Sequence, residues 1–120
     1  MKVLVVDDSP DAAEPLVVFL GHEGHEVYLA HGPSEALRIA IAFQPDLALL
    51  DIGLPLVDGW HLGGMLRGLP GLAGLRMIAI TGYGTADDHQ RSRDACFEHH
   101  LVKPIDYEVL AAVLRRPAQE

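Results

Sequence analysis

Short apolar runs, each too brief to be a buried helix, recur along this chain between stretches with helical spacing. That alternation leaves few folds open. Val3-Leu4-Val5-Val6 is rich in β-branched residues and reads as an interior strand. Ser9-Pro10 supplies an N-cap followed by proline at the first helical position. Leu16, Phe19 and Leu20 continue at helical spacing to about Glu23, and Pro15 falls early enough to bend this helix without ending it. His25 to Ala30 predicts a second strand. Pro33-Ser34 opens a helix with Ala36, Leu37 and Ala40 on one face, closed by Gln44-Pro45-Asp46. Leu47-Ala48-Leu49-Leu50 predicts the third strand, ended by Asp51. Asp58 to Arg67 reads as a weaker helix, because Gly63 and Gly64 each cost roughly 1 kcal/mol relative to alanine. Arg76 to Ile80 predicts strand four, Thr85 to Ala95 a helix, and His99 to Val102 strand five. Tyr107, Leu110, Ala111 and Leu114 mark a closing amphipathic helix.

Five strands alternating with five helices over short connections imply a three-layer α/β fold, a doubly wound parallel sheet covered on both faces. Its 120 residues fit one domain over 1–120, with no repeat, linker or low-complexity stretch. With 49% hydrophobic and 22% charged residues, a disordered tail is excluded. The net charge of -8 repels phosphate backbones, which argues against direct nucleic-acid binding. No apolar run approaches the ~18 residues of a membrane span. Met1 leads straight into a strand, without a signal-peptide pattern, and the one cysteine, Cys96, allows no internal disulfide. The expectation is a soluble, cytoplasmic protein with no membrane partner. The Gly-rich stretch from Gly63 to Gly74 lacks phosphate-loop spacing and reads as a mobile helix–loop.

Doubly wound sheets place their sites beyond the carboxyl ends of the strands, where strand order reverses. Asp7-Asp8 follows strand one, Asp51 closes strand three, Thr81 follows strand four and Lys103 follows strand five. Three crowded carboxylates repel one another unless a cation sits among them. An all-oxygen donor set suits Mg²⁺. Zinc fits less well, since none of the seven histidines stands in an HxxxH arrangement. A carboxylate can also act as a nucleophile and form an acyl phosphate. Transfer then needs positioning and charge neutralisation, for which the Lys103 ammonium and the Thr81 hydroxyl are suited. Taken singly, Asp7-Asp8 could be a cap pair and Asp51 or Lys103 a loop residue; the conjunction of all five favours one shared site.

Val-Val-Asp-Asp at 5–8, Asp-Ile-Gly-Leu-Pro at 51–55 with Asp-Gly at 58–59, Thr81, and Lys-Pro at 103–104 resemble the receiver domain of two-component response regulators. The likeness covers essentially the whole chain, and 99–106 with 81–84 is most similar to receivers associated with hybrid sensor kinases. The resemblance implies a flavodoxin-like sheet of strand order 2-1-3-4-5. It also implies that Asp51 accepts a phosphoryl group from a histidine kinase or a histidine phosphotransfer domain. Asp8, Asp51 and the Gly53 carbonyl would bind Mg²⁺ directly, with Asp7 acting largely through water. Lys103 and Thr81 would contact the phosphoryl oxygens, Lys103-Pro104 would be cis, and Thr81 and His100 would form the switch. Output would be binding of a downstream protein at the face of the 85–95 helix, strand five and the closing helix. Such a chain is no enzyme in the turnover sense, since it catalyses only its own phosphorylation and dephosphorylation.

Several positions depart from the family pattern. His100 stands where the family has Tyr or Phe, which introduces a group that titrates near neutrality. Gly82 follows Thr81, and Cys96 replaces a usual glycine. Tyr83 could shield an acyl phosphate or merely cap its loop. Trp60 reads as partly buried, and His22, His25, His31, His61 and His89 as solvent-facing or half-buried. Two other readings compete: a metal-dependent phosphatase with an aspartyl-phosphate intermediate, and a flavin or nucleotide carrier. The first lacks a DxD spacing and a cap segment, the second a GxGxxG after strand one.

Overall fold

In the computed structural model, residues 1–52, 59–82 and 97–115 are described, and they form a parallel sheet with helices on both sides. The elements are β1 (Lys2–Val6), α1 (Pro10–His22), β2 (Glu26–Ala30), α2 (Pro33–Phe43), β3 (Leu47–Asp51), α3 (Gly59–Arg67), β4 (Arg76–Thr81), β5 (His99–Val102) and α4 (Tyr107–Leu114). The helix expected over Thr85 to Ala95 lies outside the described residues, as do Asp58, Tyr83, His89 and Cys96. Strand order is β2-β1-β3-β4-β5, all parallel. Among the described residues no helix is long and apolar enough to cross a membrane.

The apolar runs form strands because their side chains alternate between two buried faces. Leu4, Val6, Ala48, Leu50, Met77 and Ala79 pack with Ala36, Ala40, Leu62 and Leu66 of α2 and α3. Val3, Val5, Leu47, Leu49, Ile78 and Ile80 pack with Leu16 and Leu20 of α1 and Leu110, Val113 and Leu114 of α4. Only β2, at a sheet edge, alternates exposed and covered residues. A one-residue slip would exchange the two faces of a strand, so the buried sets fix the register.

Helix ends follow their signals. Ser9 Oγ caps α1 by accepting from Ala12 N at 3.4 Å, and α1 continues through Pro15 to His22. Asp106 Oδ1 caps α4 by accepting from Glu108 N and Val109 N. The stretch after α3, expected to be mobile, is anchored instead. Leu72 and Leu75 are buried, and Arg67 donates to Leu75 O from Nε and Nη2 at 3.0 and 2.8 Å. Gln44, in the left-handed region at φ 52, donates from Nε2 to Pro70 O at 3.2 Å. Gly71, at φ 83, leaves room for that side chain.

Candidate functional site

The register brings four strand ends to one rim of the sheet. Val6 pairs with Leu50, Asp51 with Ile80 and Thr81 with Val102, so the residues that follow each strand share one crevice. The chain runs outward from β1 to β2 and returns across β1 to β3, so strand order reverses between β1 and β3. Asp7 and Asp51 stand on either side of that reversal.

Asp7, Asp8 and Asp51 each offer a carboxylate oxygen, and these oxygens lie within 4.8 Å of one another. Asp7 is buried, Asp51 partly so, and Asp8 is exposed. Lys103 Nζ lies 3.4 Å from Asp51 Oδ2 and 3.8 Å from Asp7 Oδ2. The Asp7 backbone N–H donates to Ala30 O at 3.0 Å, and its Oδ1 accepts from Ser9 N at 2.9 Å. The second bond is an Asx turn that aims the carboxylate into the crevice. Sequence reasoning saw Ser9 as a helix cap and missed this role, although the Asp-x-Ser spacing carries the signal.

Burial pushes the Asp7 carboxyl above its ordinary value of 3.8, and the charges of Asp51 and Asp8 push the same way. The Ser9 N–H and the Lys103 ammonium oppose the shift without cancelling it. A crevice with this excess of negative charge favours a cation. Opposite ligands of an octahedral Mg²⁺ stand about 4.2 Å apart, from Mg–O distances of about 2.1 Å. Oxygens within 4.8 Å therefore fit such an ion with small adjustment. Gly53, the fourth expected ligand, lies outside the described residues.

Thr81 is buried at the end of β4, and its carbonyl accepts from Lys103 N at 2.7 Å, which ties the start of the β5–α4 connection to the crevice. Lys103-Pro104 is cis, as the resemblance implied. His100 is half-buried and pairs with Ala79. By strand alternation His100 and Thr81 share the face of the sheet that carries α2 and α3. A cleft of about 200 Å³, lined by Asp7, Leu16, Lys103, Ile105 and Tyr107, opens beside the site between α1 and α4. Trp60 is partly buried, His22, His31 and His61 are exposed, and His25 is half-buried.

Comparison with known proteins agrees with this architecture. The sequence profile of the response regulator receiver domain matches residues 3–115. An uncharacterized 14.6 kDa protein of Leptolyngbya boryana is 38% identical over 106 residues, 88% of this chain and 81% of that protein. RpaA of Synechocystis, a DNA-binding dual master transcriptional regulator, is 30% identical over 95% of this chain but only 47% of its own length. The chain likewise spans about half of CusR from Escherichia coli, at 32% identity and 50% coverage. Among solved structures, the chemotaxis protein CheY4 of Vibrio cholerae superimposes with a TM-score of 0.89 at 27% identity over 96% of both chains. A CheY-like receiver from Methanospirillum hungatei gives 0.85 at 28% identity, over 95% of this chain and 90% of its own. With its profile match, its 2-1-3-4-5 sheet and an acidic crevice at the strand ends, the chain belongs to the receiver domain family of two-component response regulators.

Proposed function

We propose that residues 1–120 form a phosphoacceptor module in which Asp51 takes a phosphoryl group from a phosphohistidine of a histidine kinase or histidine phosphotransfer domain. The observation that carries this reading is the gathering of three carboxylate oxygens within 4.8 Å, with Lys103 Nζ 3.4 Å from Asp51 Oδ2. A lone carboxylate repels an incoming phosphoryl group. One flanked by an ammonium and a cation-binding pair does not.

In the transfer step an Asp51 carboxylate oxygen attacks phosphorus in line with the P–N bond. The P–O bond forms, the P–N bond breaks, and its electron pair leaves on the imidazole nitrogen. Held by Asp8, Asp51 and the carbonyl of Gly53, with Asp7 acting largely through water, Mg²⁺ would supply positive charge against the phosphoryl oxygens. Lys103 turns from Asp51 toward a second phosphoryl oxygen, and the Thr81 hydroxyl donates to a third. Water attack at phosphorus later returns the free carboxylate and inorganic phosphate. The chemistry is confined to the chain's own carboxylate, so the product is a switched surface and not a released metabolite.

Thr81 and His100, on one face of β4 and β5, are suited to relay the phosphorylated state. The relay reaches the surface of β5 and α4, where a downstream protein binds; the 85–95 part of the expected face lies outside the described residues. Net charge -8 assigns this chain no direct nucleic-acid contact, and its setting is cytoplasmic. Incubation with acetyl phosphate and Mg²⁺, followed by intact-mass measurement, tests the reading. The parent gains one phosphoryl group and Asp51→Asn gains none; equal incorporation in both sinks the proposal.

A further inference from the structure

Asp51 is the last residue of β3, and the backbone of Ile52 beyond it is held from two sides. Ile52 N donates to Ile80 O at 3.0 Å, and Ile52 O accepts from Gly59 N at 3.3 Å. The chain thus leaves the site at Ile52 and returns to it at Gly59, where α3 begins. The first turn of α3 rests on the Ile52 backbone itself. A Cβ on Gly59 would stand 2.5 Å from Ile52 Cα, 2.7 Å from its Cγ2 and 3.0 Å from its Cβ. Non-bonded carbons prefer about 3.5–4.0 Å, so one backbone or the other would have to move.

We infer that Gly59 is a positioning residue: by lacking a side chain it lets α3 seat on Ile52, and so holds Asp51 in register with Asp7, Asp8 and Lys103. The inference rests on the reading of Asp51 as phosphoacceptor. The helix cannot absorb the whole displacement, because it is anchored along its length. Leu62 and Leu66 are fully buried, and Arg67 is bonded to Leu75 O. The Ile52 Cα on which the added Cβ would press follows Asp51 directly, so what the helix does not absorb is passed to the strand end. Metal and ammonium geometry tolerate only about half an ångström of error, so such a shift is read directly as lost affinity.

Gly63, one turn further along α3, provides the control. Its added Cβ would meet Phe97 Cε1 and Cζ at 2.8 Å and Met77 Sδ at 3.1 Å, which are side-chain atoms and not backbone. Gly63→Ala therefore disturbs packing without pressing on the strand end.

The test is Mg²⁺ affinity by calorimetry on the whole chain, with the folded fraction checked by circular dichroism. It compares the parent, Gly59→Ala, Gly63→Ala and Ile52→Ala. Expected is at least a tenfold rise in the Mg²⁺ dissociation constant for Gly59→Ala, with matching loss of acetyl phosphate labelling at fixed Mg²⁺. Gly63→Ala and Ile52→Ala, which keep the contact between Gly59 and Ile52 Cα, stay within twofold of the parent. Should Gly59→Ala fail to fold, Ile52→Ala decides: parent-like affinity supports the backbone contact, and a tenfold loss assigns the role to the Ile52 side chain and overturns the inference. Parent-like binding by folded Gly59→Ala also overturns it while leaving the phosphoacceptor reading intact. A parent that binds no Mg²⁺ removes that reading and this one together.

Discussion

Replacing Asp7 by asparagine should stabilise the metal-free protein, although it removes a buried group that the site uses. Asp7 has two carboxylate neighbours with oxygens within 4.8 Å. Each such repulsion amounts to about 3.5 kcal/mol at an effective dielectric constant of ~20 and about 0.9 kcal/mol in water. Lys103 Nζ, 3.8 Å away, offsets a little more than one of the two. Less than one repulsion remains, together with the desolvation of a charge at a side chain 8% exposed. Asparagine keeps the Oδ1 acceptor for Ser9 N, so the turn survives. Asp7→Asn is expected to gain about 1–2 kcal/mol against urea in EDTA at pH 7.5 and low salt.

The pH dependence follows from the direction of the shift. The native Asp7 carboxyl sits above its ordinary value of 3.8, so the native state holds its proton more firmly than the unfolded chain does. The penalty is absent below the unfolded value and grows as pH rises through the raised native one. The advantage of Asp7→Asn therefore fades toward nil in acid and is complete near neutrality. Mg²⁺ reverses the ranking. At a hundred times its dissociation constant the ion stabilises the parent by about 2.7 kcal/mol. On the proposed reading Asp7→Asn, having lost a carboxylate beside the ion, gains much less. Paired urea titrations in EDTA and in Mg²⁺, at three pH values, give all these quantities. Equal destabilisation by Asp7→Asn in both media, or an advantage that persists unchanged in acid, refutes the electrostatic reasoning.

Two further substitutions test the frame around the site. Gly64 is exposed within α3 and a Cβ there would meet nothing within 4 Å, so Gly64→Ala should gain about 0.5–1 kcal/mol, or a few degrees in Tm by calorimetry. A loss of stability would mean that α3 is not helical at that position. Glu98 pairs with Arg76 at 2.6 Å, both side chains little exposed, and Arg76 also donates to Val113 O. Glu98→Ala should cost about 3 kcal/mol by leaving that guanidinium uncompensated, and Arg76→Met/Glu98→Leu should recover most of it. Mg²⁺ affinity measured alongside should not change in either; a single variant no weaker than the double one would count against the pairing.

What could be read from sequence was what depends on local pattern. Interior strands announce themselves as apolar runs such as Leu47-Ala48-Leu49-Leu50, and all five were recoverable to within a residue or two. Asp7, Asp8, Asp51, Thr81 and Lys103 were legible because each is a chemically distinct residue directly after such a run. Gly59 and Gly63 were not. In sequence a helical glycine reads only as lost propensity. Its value at these positions depends on what lies across the interface, Ile52 in one case and Phe97 with Met77 in the other. The same holds for Gln44, whose left-handed backbone matters because its amide reaches Pro70, and for Arg76 and Glu98, which are paired by neighbouring strands.

The two ends of the sheet divide the electrostatics between them. At the amino end the charged groups have partners. Arg76 grips Glu98, Lys2 N donates to Asp46 Oδ2, and Lys2 Nζ reaches Phe43 O. At the carboxyl end, among the described residues, three carboxylates face the Lys103 ammonium across a crevice that burial makes costlier. On the proposed reading, that crowding of carboxylates gives the crevice its affinity for a cation, and then for a phosphoryl group held with it. The opposite end, the two cores and the seat of α3 on Ile52 hold the backbone around the crevice. Substitutions that remove charge from the crevice should therefore raise metal-free stability and lower Mg²⁺ affinity. Those at the amino end should lower stability and leave Mg²⁺ affinity alone.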